Sequence, residues 1–254
     1  VPAAVGEDLE EVSVMKIRIK FSKQGAMKFI GHLDTMRYFQ KAMRRADIDI
    51  CYSAGFSPHM IMSFASPLGV GLTSDGEYLD IEIGNELSSE AAVKRLNRVM
   101  AEGVEVLSFR RIPEEKSANA MSLVAAADYE VRFRENSLPA DCVFGNGLEE
   151  KWTAFCAQKQ ILVTKKTKKG ERELDLKPLI YDTKCQDDSI SLQLSAGSAE
   201  NVKPELVLEA FSTYAGFELP EFALLIHRKE LYANLAGEGE PRKLISLEDL
   251  GEEF

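Results

Sequence analysis

Met15-Lys16-Ile17-Arg18-Ile19-Lys20-Phe21 alternates apolar and basic residues at strict period two, the pattern of a β-strand with one buried face. From Ile30 the period lengthens: Leu33, Met36, Phe39, Met43 and Ala46 recur every three or four positions, while Arg37, Lys41, Arg44 and Arg45 hold the opposite side. That is an amphipathic helix with a basic outer stripe. Ser53, Gly55 and Pro58 punctuate the turn that follows, ahead of an apolar run from Met60 to Phe64. A glycine-rich loop ends at Gly76, and Leu79, Ile81 and Ile83 then alternate with Tyr78, Asp80 and Glu82. Ser88 is placed to cap a helix carrying Ala92, Leu96, Val99 and Met100, with Gly103 as its stop. A strand from Val104 to Ile112, whose alternation changes phase around Leu107 as at a β-bulge, closes a βαββαβ unit.

Pro113 to Ala127, small and polar with an alanine run, has the composition of a linker. Tyr129, Val131 and Phe133 then alternate as a new first strand, and Leu148, Trp152, Phe155 and Cys156 mark a helix. Residues 161–166 and 171–181 flank Lys168-Lys169-Gly170 as a hairpin, followed by a strand with Ile190, Leu192 and Leu194. Pro204 opens a helix bearing Val207, Ala210, Phe211 and Tyr214 and ending at Gly216, and a last strand runs from Ala223 to Leu231. The expected fold is α+β: two tandem ferredoxin-like (βαββαβ) domains at 15–112 and 128–233, the second with an extra hairpin. Each is an antiparallel sheet with helices on one face, and acidic tails are expected at 1–14 and 234–254. Strands one and three neighbour each other in such a sheet. Lys16, Arg18 and Lys20 are therefore expected beside Asp80 and Glu82 on its open face, as a salt-bridge ladder.

The 254 residues are 45% hydrophobic and 28% charged, ordinary for a globular protein, which excludes disordered, collagenous and low-complexity classes. No apolar run reaches membrane-spanning length, and the first 15 residues lack the basic start and apolar core of a secretory signal, so a cytoplasmic location is expected. Cys51, Cys142, Cys156 and Cys185 form no Cys-x-x-Cys pair, which argues against a disulfide framework or a zinc or iron-sulfur site, and no cofactor is expected. The net charge of −10 conceals local surpluses of base. Residues 16–45 hold nine bases against Asp34 alone, and Lys159 to Lys184 hold eight against four acids. A polyanion partner is compatible with that distribution. The stripe Arg37, Lys41, Arg44 and Arg45 has no internal partner in the pattern, which makes it the candidate for phosphate contact.

The densest motif text lies between Phe21 and Gly71. It runs Phe21-Ser22-Lys23, Gly25, Phe29-Ile30-Gly31-His32-Leu33-Asp34, Arg44-Arg45-Ala46, Tyr52-Ser53-Ala54-Gly55-Phe56-Ser57-Pro58-His59, Ser63-Phe64-Ala65 and Pro67-Leu68-Gly69. With Glu77-Tyr78-Leu79-Asp80 and Glu173-Leu174-Asp175-Leu176-Lys177-Pro178-Leu179-Ile180, it resembles the uncharacterised radical-SAM-linked protein family over roughly residues 15–233. That family is a domain of unknown function found fused to, or encoded beside, radical S-adenosylmethionine proteins. Gly31, Ser57 and Met60 depart from its usual serine, asparagine and proline. The resemblance implies a radical SAM protein as partner and, by association only, a place in RNA metabolism. The chain has no Cys-x-x-x-Cys-x-x-Cys of its own, so it is not expected to be the radical enzyme.

The expected RNA footprint is Lys23, His32, Arg37, Lys41, Arg44, Arg45, Phe56 and His59, extended by Lys177 and the Lys165 to Lys169 hairpin of the second half. Phe29, Tyr38, Tyr52 and Phe56 interleave with the bases as in proteins that stack nucleobases, Phe56 being the one best placed for the surface. The plain alternatives are that His32 buttresses the glycine turn, Asp34 binds a backbone amide, His59 orders the loop from Phe56 to Pro58, and Asp175 and Lys177 belong to a solubilising tip. His32, Asp34 and His59 have no known metal-ligand spacing. Three functions remain open. The first is a non-catalytic RNA-recognition accessory to a radical SAM modification enzyme. The second is a metal-independent endoribonuclease with His32 and His59 as acid and base and an arginine stabilising phosphate charge. The third is an adaptor whose open sheet faces a partner polypeptide, without RNA.

Overall fold

A computed structural model describes residues 14–254 except 86, 116–117, 168–169, 199 and 238, with only the backbone described at 166 and 167. The expected N-terminal acidic tail, Lys168 and Lys169 fall outside the described residues, as does the side chain of Lys166. The architecture is mixed α+β, mostly sheet with a few helices, and the strands are mainly antiparallel. In chain order the first half runs β1 (Met15–Lys23), α1 (His32–Arg45), β2 (Met62–Phe64), β3 (Thr73–Ile83), α2 (Ser89–Asn97) and β4 (Val104–Arg111). A short α3 (Ala120–Leu123) leads to β5 (Val124–Phe133), α4 (Leu148–Cys156), β6 (Leu162–Thr167) and β7 (Gly170–Asp175). Then come β8 (Ile180–Gln186), β9 (Ser189–Ser195), α5 (Pro204–Ala215), β10 (Leu224–Asn234) and β11 (Leu244–Ser246).

Both halves contribute to one nine-stranded sheet of order β4-β1-β3-β10-β5-β9-β8, with β2 on β3 and β11 on β10, while β6 and β7 pair separately. The long β3 makes this possible. Its end at Leu79 to Ile81 pairs with β2, and its start pairs parallel with β10, His227 against Thr73 and Arg228 against Ser74. A Cβ at Gly76 would lie 2.6 Å from the Glu230 Cα, so the closeness of β3 and β10 at this joint requires glycine.

The period-two residues do what their spacing dictates. Ile17, Ile19 and Phe21 join Leu79, Ile81 and Ile83 under Phe39 and Met43 of α1 and Ala92 and Leu96 of α2. In the second half Trp152 and Phe155 of α4 meet Phe211 of α5 over Val131, Ile190 and Leu192. The phase change in β4 is a bulge: Lys20 pairs with Ser108 and Phe21 with Val106, leaving Leu107 unpaired and exposed.

The other face of the first half is not open. The supposed linker folds across it as α3, and β5 begins at Val124, inside that stretch. Residues expected as an acidic tail form β11 and a strap: Leu247 is fully buried, Arg111 pairs with Glu252 as a β-bridge, and the Ser89 amide donates to the Phe254 carbonyl. The reason lies in the charges below. Arg18 forms a two-pronged ion pair with Asp80 at 2.8 and 2.9 Å, and its remaining donors reach the carbonyls of Ala118 and Leu247. Asp80 in turn accepts from the Ala120 amide at 2.7 Å. Lys20 donates to Glu230 and Glu248 at 2.8 and 2.9 Å, and Tyr78 to Glu230 at 2.5 Å. The expected ladder is thus one cross-strand pair: Lys16 donates to the Glu114 carbonyl instead. Buried ions need their remaining hydrogen bonds satisfied, and α3 and the strap supply them.

Candidate nucleic-acid interface

Lys23, last in β1, is 3% exposed, and its ammonium donates to the Ile30 carbonyl at 2.7 Å. Burial lowers its pKa, offset only in part by Glu77 and deepened by the Arg228 charge. It fixes the loop into α1 and is out of reach of a phosphate. Gly31 caps α1 without a side chain, and the Thr35 hydroxyl folds back to its carbonyl at 3.0 Å. His32 is therefore the first helical residue, exposed, with its ring edge-on to Phe64 at 5.2 Å. Asp34 reaches no backbone amide among the described residues and pairs with Arg37 at 3.2 Å on the helix surface.

Beyond them the outward face of α1 carries Lys41, Arg44 and Arg45, all exposed and with no ion-pair partner among the described residues. The sequence reading missed the neighbours that extend this face. Arg95 of α2 reaches the Asp47 carbonyl at 3.4 Å, just past the end of α1. Arg98, after α2, is exposed and likewise without a carboxylate partner among the described residues. Their signal was a mixed-charge helix, since Lys94 pairs with Glu90 one turn earlier.

Gly-Phe-Ser-Pro-His is the tip of a small hairpin. Tyr52 bridges Met60, the Ser53 amide donates to the His59 carbonyl at 2.8 Å, and Ser53 Oγ shares a 2.8 Å hydrogen bond with His59 Nδ1 while accepting from the His59 amide. Gly55 turns at φ 108°, and Phe56 projects fully into solvent. His59 thus orders the loop. The hairpin leaves β3 near Ile81 and Ile83, whereas His32 sits at the start of α1 beside Phe64, and no contact joins the two histidines among the described residues. Tyr38 is half-buried, its hydroxyl accepting from the Ala101 amide at 2.6 Å, while Phe29 and Tyr52 are exposed.

Of the expected second-half extension, the described Lys165 and Lys177 side chains are tied internally. Lys177 donates to the Cys156 carbonyl at the end of α4, and Asp175 accepts from the Ile161 and Lys177 amides at 2.9 and 3.0 Å. That motif is a loop clasp. Lys165 and Arg172 both pair with Glu200, whose carboxyl their hydrogen bonds hold below the usual range despite the cost of burial. The four cysteines are unpaired, and burial pushes the Cys156 thiol up to about 11 and the Cys185 thiol to about 12, the opposite of nucleophile activation. Among the described residues no three His, Cys, Asp or Glu side chains converge as metal ligands, and no helix is long and apolar enough to cross a membrane.

With the geometry in place, comparison with protein families matches residues 16–204 to an uncharacterized protein conserved in bacteria, DUF2344. The chain belongs to the DUF2344 family. Its matched region starts in β1 and stops at the first residue of α5, so β10, β11 and the strap that cover the buried charges lie past it. The clasp at Asp175 and the hairpin at Ser53 and His59 both fall inside, which makes them parts of the DUF2344 region. No curated protein matches the chain.

Proposed function

We propose that this DUF2344 chain is a non-catalytic RNA-recognition module, built from two ferredoxin-like units, that serves a radical SAM RNA-modification enzyme. The unit assignment is supported by the equivalent strand orders β4-β1-β3-β2 and β10-β5-β9-β8. The partner rests on the motif resemblance alone. The observation that carries RNA binding is the outward face of the two first-half helices, where Lys41, Arg44, Arg45 and Arg98 project without carboxylate partners among the described residues. Cations left unpaired by the fold are free to replace the counterions of a phosphate backbone. Phe56, held out at its hairpin tip, offers a ring for an unstacked base. The footprint is therefore His32, Arg37, Lys41, Arg44, Arg45, Phe56 and His59 with Arg95 and Arg98 added, and Lys23 and Lys177 removed because both are tied to backbone carbonyls.

Filter binding of total cellular small RNA at low and physiological salt in EDTA, followed by a gel of the same samples, tests this. The expected result is salt-dependent retention of intact RNA. Salt-insensitive or absent retention overturns it. Discrete fragments that vanish in His32→Ala or His59→Ala replace it with the endoribonuclease. Co-purification of a radical SAM protein from an RNase-treated lysate tests the partner.

A further inference from the structure

The nine-stranded sheet has two outer edges, and they end differently. At the β4 end the strap closes it, with Arg111 and Glu252 joined as a β-bridge. At the other end β8 pairs with β9 on its inner side, and no strand or bridge lies on its outer side among the described residues. Alternate residues of such an edge strand turn their N–H and C=O groups outward, where another strand can pair with them.

The side chains along β8 decide which strand fits. Asp182 and Lys184 are exposed, stand two positions apart on one face and have no ion-pair partner among the described residues. Opposite them in β9 are the neutral Gln193 and Ser191, and Gln193 is already donating to Asp128 at 2.9 Å. Both charges therefore lack a counterpart within their own sheet. Thr183 between them is anchored: its hydroxyl donates to the Ser191 carbonyl at 2.9 Å and accepts from Trp152 Nε1 of α4 at 3.2 Å. A lysine on an edge strand ordinarily keeps other strands away, because pairing would bury its charge. Here the order acid, threonine, base is its own complement when turned end for end.

We propose that β8 is the interface of a symmetric dimer, in which it pairs antiparallel with β8 of a second copy about a dyad at Thr183. That register sets Asp182 opposite the partner's Lys184 and Lys184 opposite the partner's Asp182. A two-fold contact requires each residue to meet a partner that it also meets in return, and the register centred on Thr183 satisfies this for both charges at once. Opposite charges facing each other across a strand pair stabilise it, and like charges there destabilise it. The bulge at Tyr181 ends the paired run. A contact this short belongs with the small, transient interfaces, so the dimer builds up with concentration. It joins the two sheets edge to edge, with the helices of both copies on the same side, and it does not depend on RNA binding by the helix face.

Sedimentation of the nuclease-treated full chain from low to high micromolar concentration tests this, the nuclease excluding association through RNA. The parent chain is expected to pass from one to twice the chain mass. Lys184→Glu sets acid against acid and Asp182→Lys sets base against base, and each is expected to weaken association by about tenfold. The two exchanges move the net charge in opposite directions, so weakening by both is local pairing and not overall repulsion. The double exchange of Asp182→Lys with Lys184→Asp restores the complement in reversed order and is expected to recover the parent association. Both side chains are exposed, so every variant is expected to keep the parent's circular dichroism. A chain that stays monomeric at high micromolar concentration, a single exchange that leaves association unmoved, or a double exchange as weak as the singles overturns the proposal.

Discussion

Glu77 and Arg228 lie 151 positions apart in sequence and meet in a buried ion pair at 2.5 Å, beside the parallel joint of β3 and β10. The guanidinium also donates to the Ser66 carbonyl at 2.6 Å. Burial disfavours its charge, but Glu77 and Tyr129 more than compensate and hold its pKa above the ordinary arginine value. Removing one member strands the other. Glu77→Ala is expected to cost about 3–5 kcal/mol, the range for breaking a buried pair, and Glu77→Gln less because it keeps an acceptor. Urea unfolding measures both; a loss below 1 kcal/mol for the alanine variant would show that the pair does not hold the halves together.

Gly76 makes the same joint from the backbone side. An alanine Cβ there would press on Glu230 Cα and the Lys229 carbonyl at 2.6 and 2.7 Å. Gly76→Ala is expected to lose of order 1–3 kcal/mol as the strands separate. Amide exchange should quicken at Thr73, Ser74 and His227 while β8 and β9 keep their protection. Uniform quickening would assign the effect to global stability instead.

The strap brings its own pH dependence. Burial raises the Glu248 carboxyl, but hydrogen bonds from Lys20 and Ser108 and the charges of Lys20 and Arg110 outweigh it and leave the pKa lowered. Its contribution is complete above the unfolded value of about 4.3 and is lost as pH falls through the folded one. Lys20 runs the other way: burial lowers its pKa, and Glu230 and Glu248 together raise it above the ordinary lysine value. That contribution is complete below the unfolded value of about 10.4 and is lost as pH rises through the folded one. Between these limits strap protection should be flat, and on acidification the Leu247 amide, bonded to the Leu231 carbonyl at 3.0 Å, should exchange early. Glu248→Gln should flatten the acid limb. Persistent Leu247 protection at pH 2 would contradict this.

On the helix face, Arg44→Ala is expected to weaken RNA binding and to lower the slope of log affinity against log salt by about one, with Arg98→Ala doing the same. Both side chains are exposed, so melting temperatures should stay within a degree or two of the parent by the usual tolerance of surface changes. A slope unmoved in both variants would take phosphate contact away from this face.

How far the sequence was legible follows from how local each signal is. The alternation of Ile17, Ile19 and Phe21 is set by neighbours two positions away, and the bulge at Leu107 showed as a phase change for the same reason. The Arg18 and Asp80 pairing followed from strand order. Residues 234–254 looked like a tail because the partners of their acids, Lys20, Arg110 and Arg111, lie far away in sequence. Lys23 and Lys177 looked like surface bases because nothing local reveals that each ammonium turns onto a carbonyl, of Ile30 and Cys156.

Translation delivers β1 long before the groups that neutralise it. Arg18 is separated by 229 positions from the Leu247 carbonyl it donates to, and Lys20 by 210 and 228 from Glu230 and Glu248. Nascent chains fold from the N-terminal end first, so a ribosome exposes the first half with Lys20 lacking both carboxylates. A chain ending at residue 112 would meet the same deficit permanently. The cations of β1 therefore gain their full set of partners only once β10 and the strap, which start at Leu224, have been made.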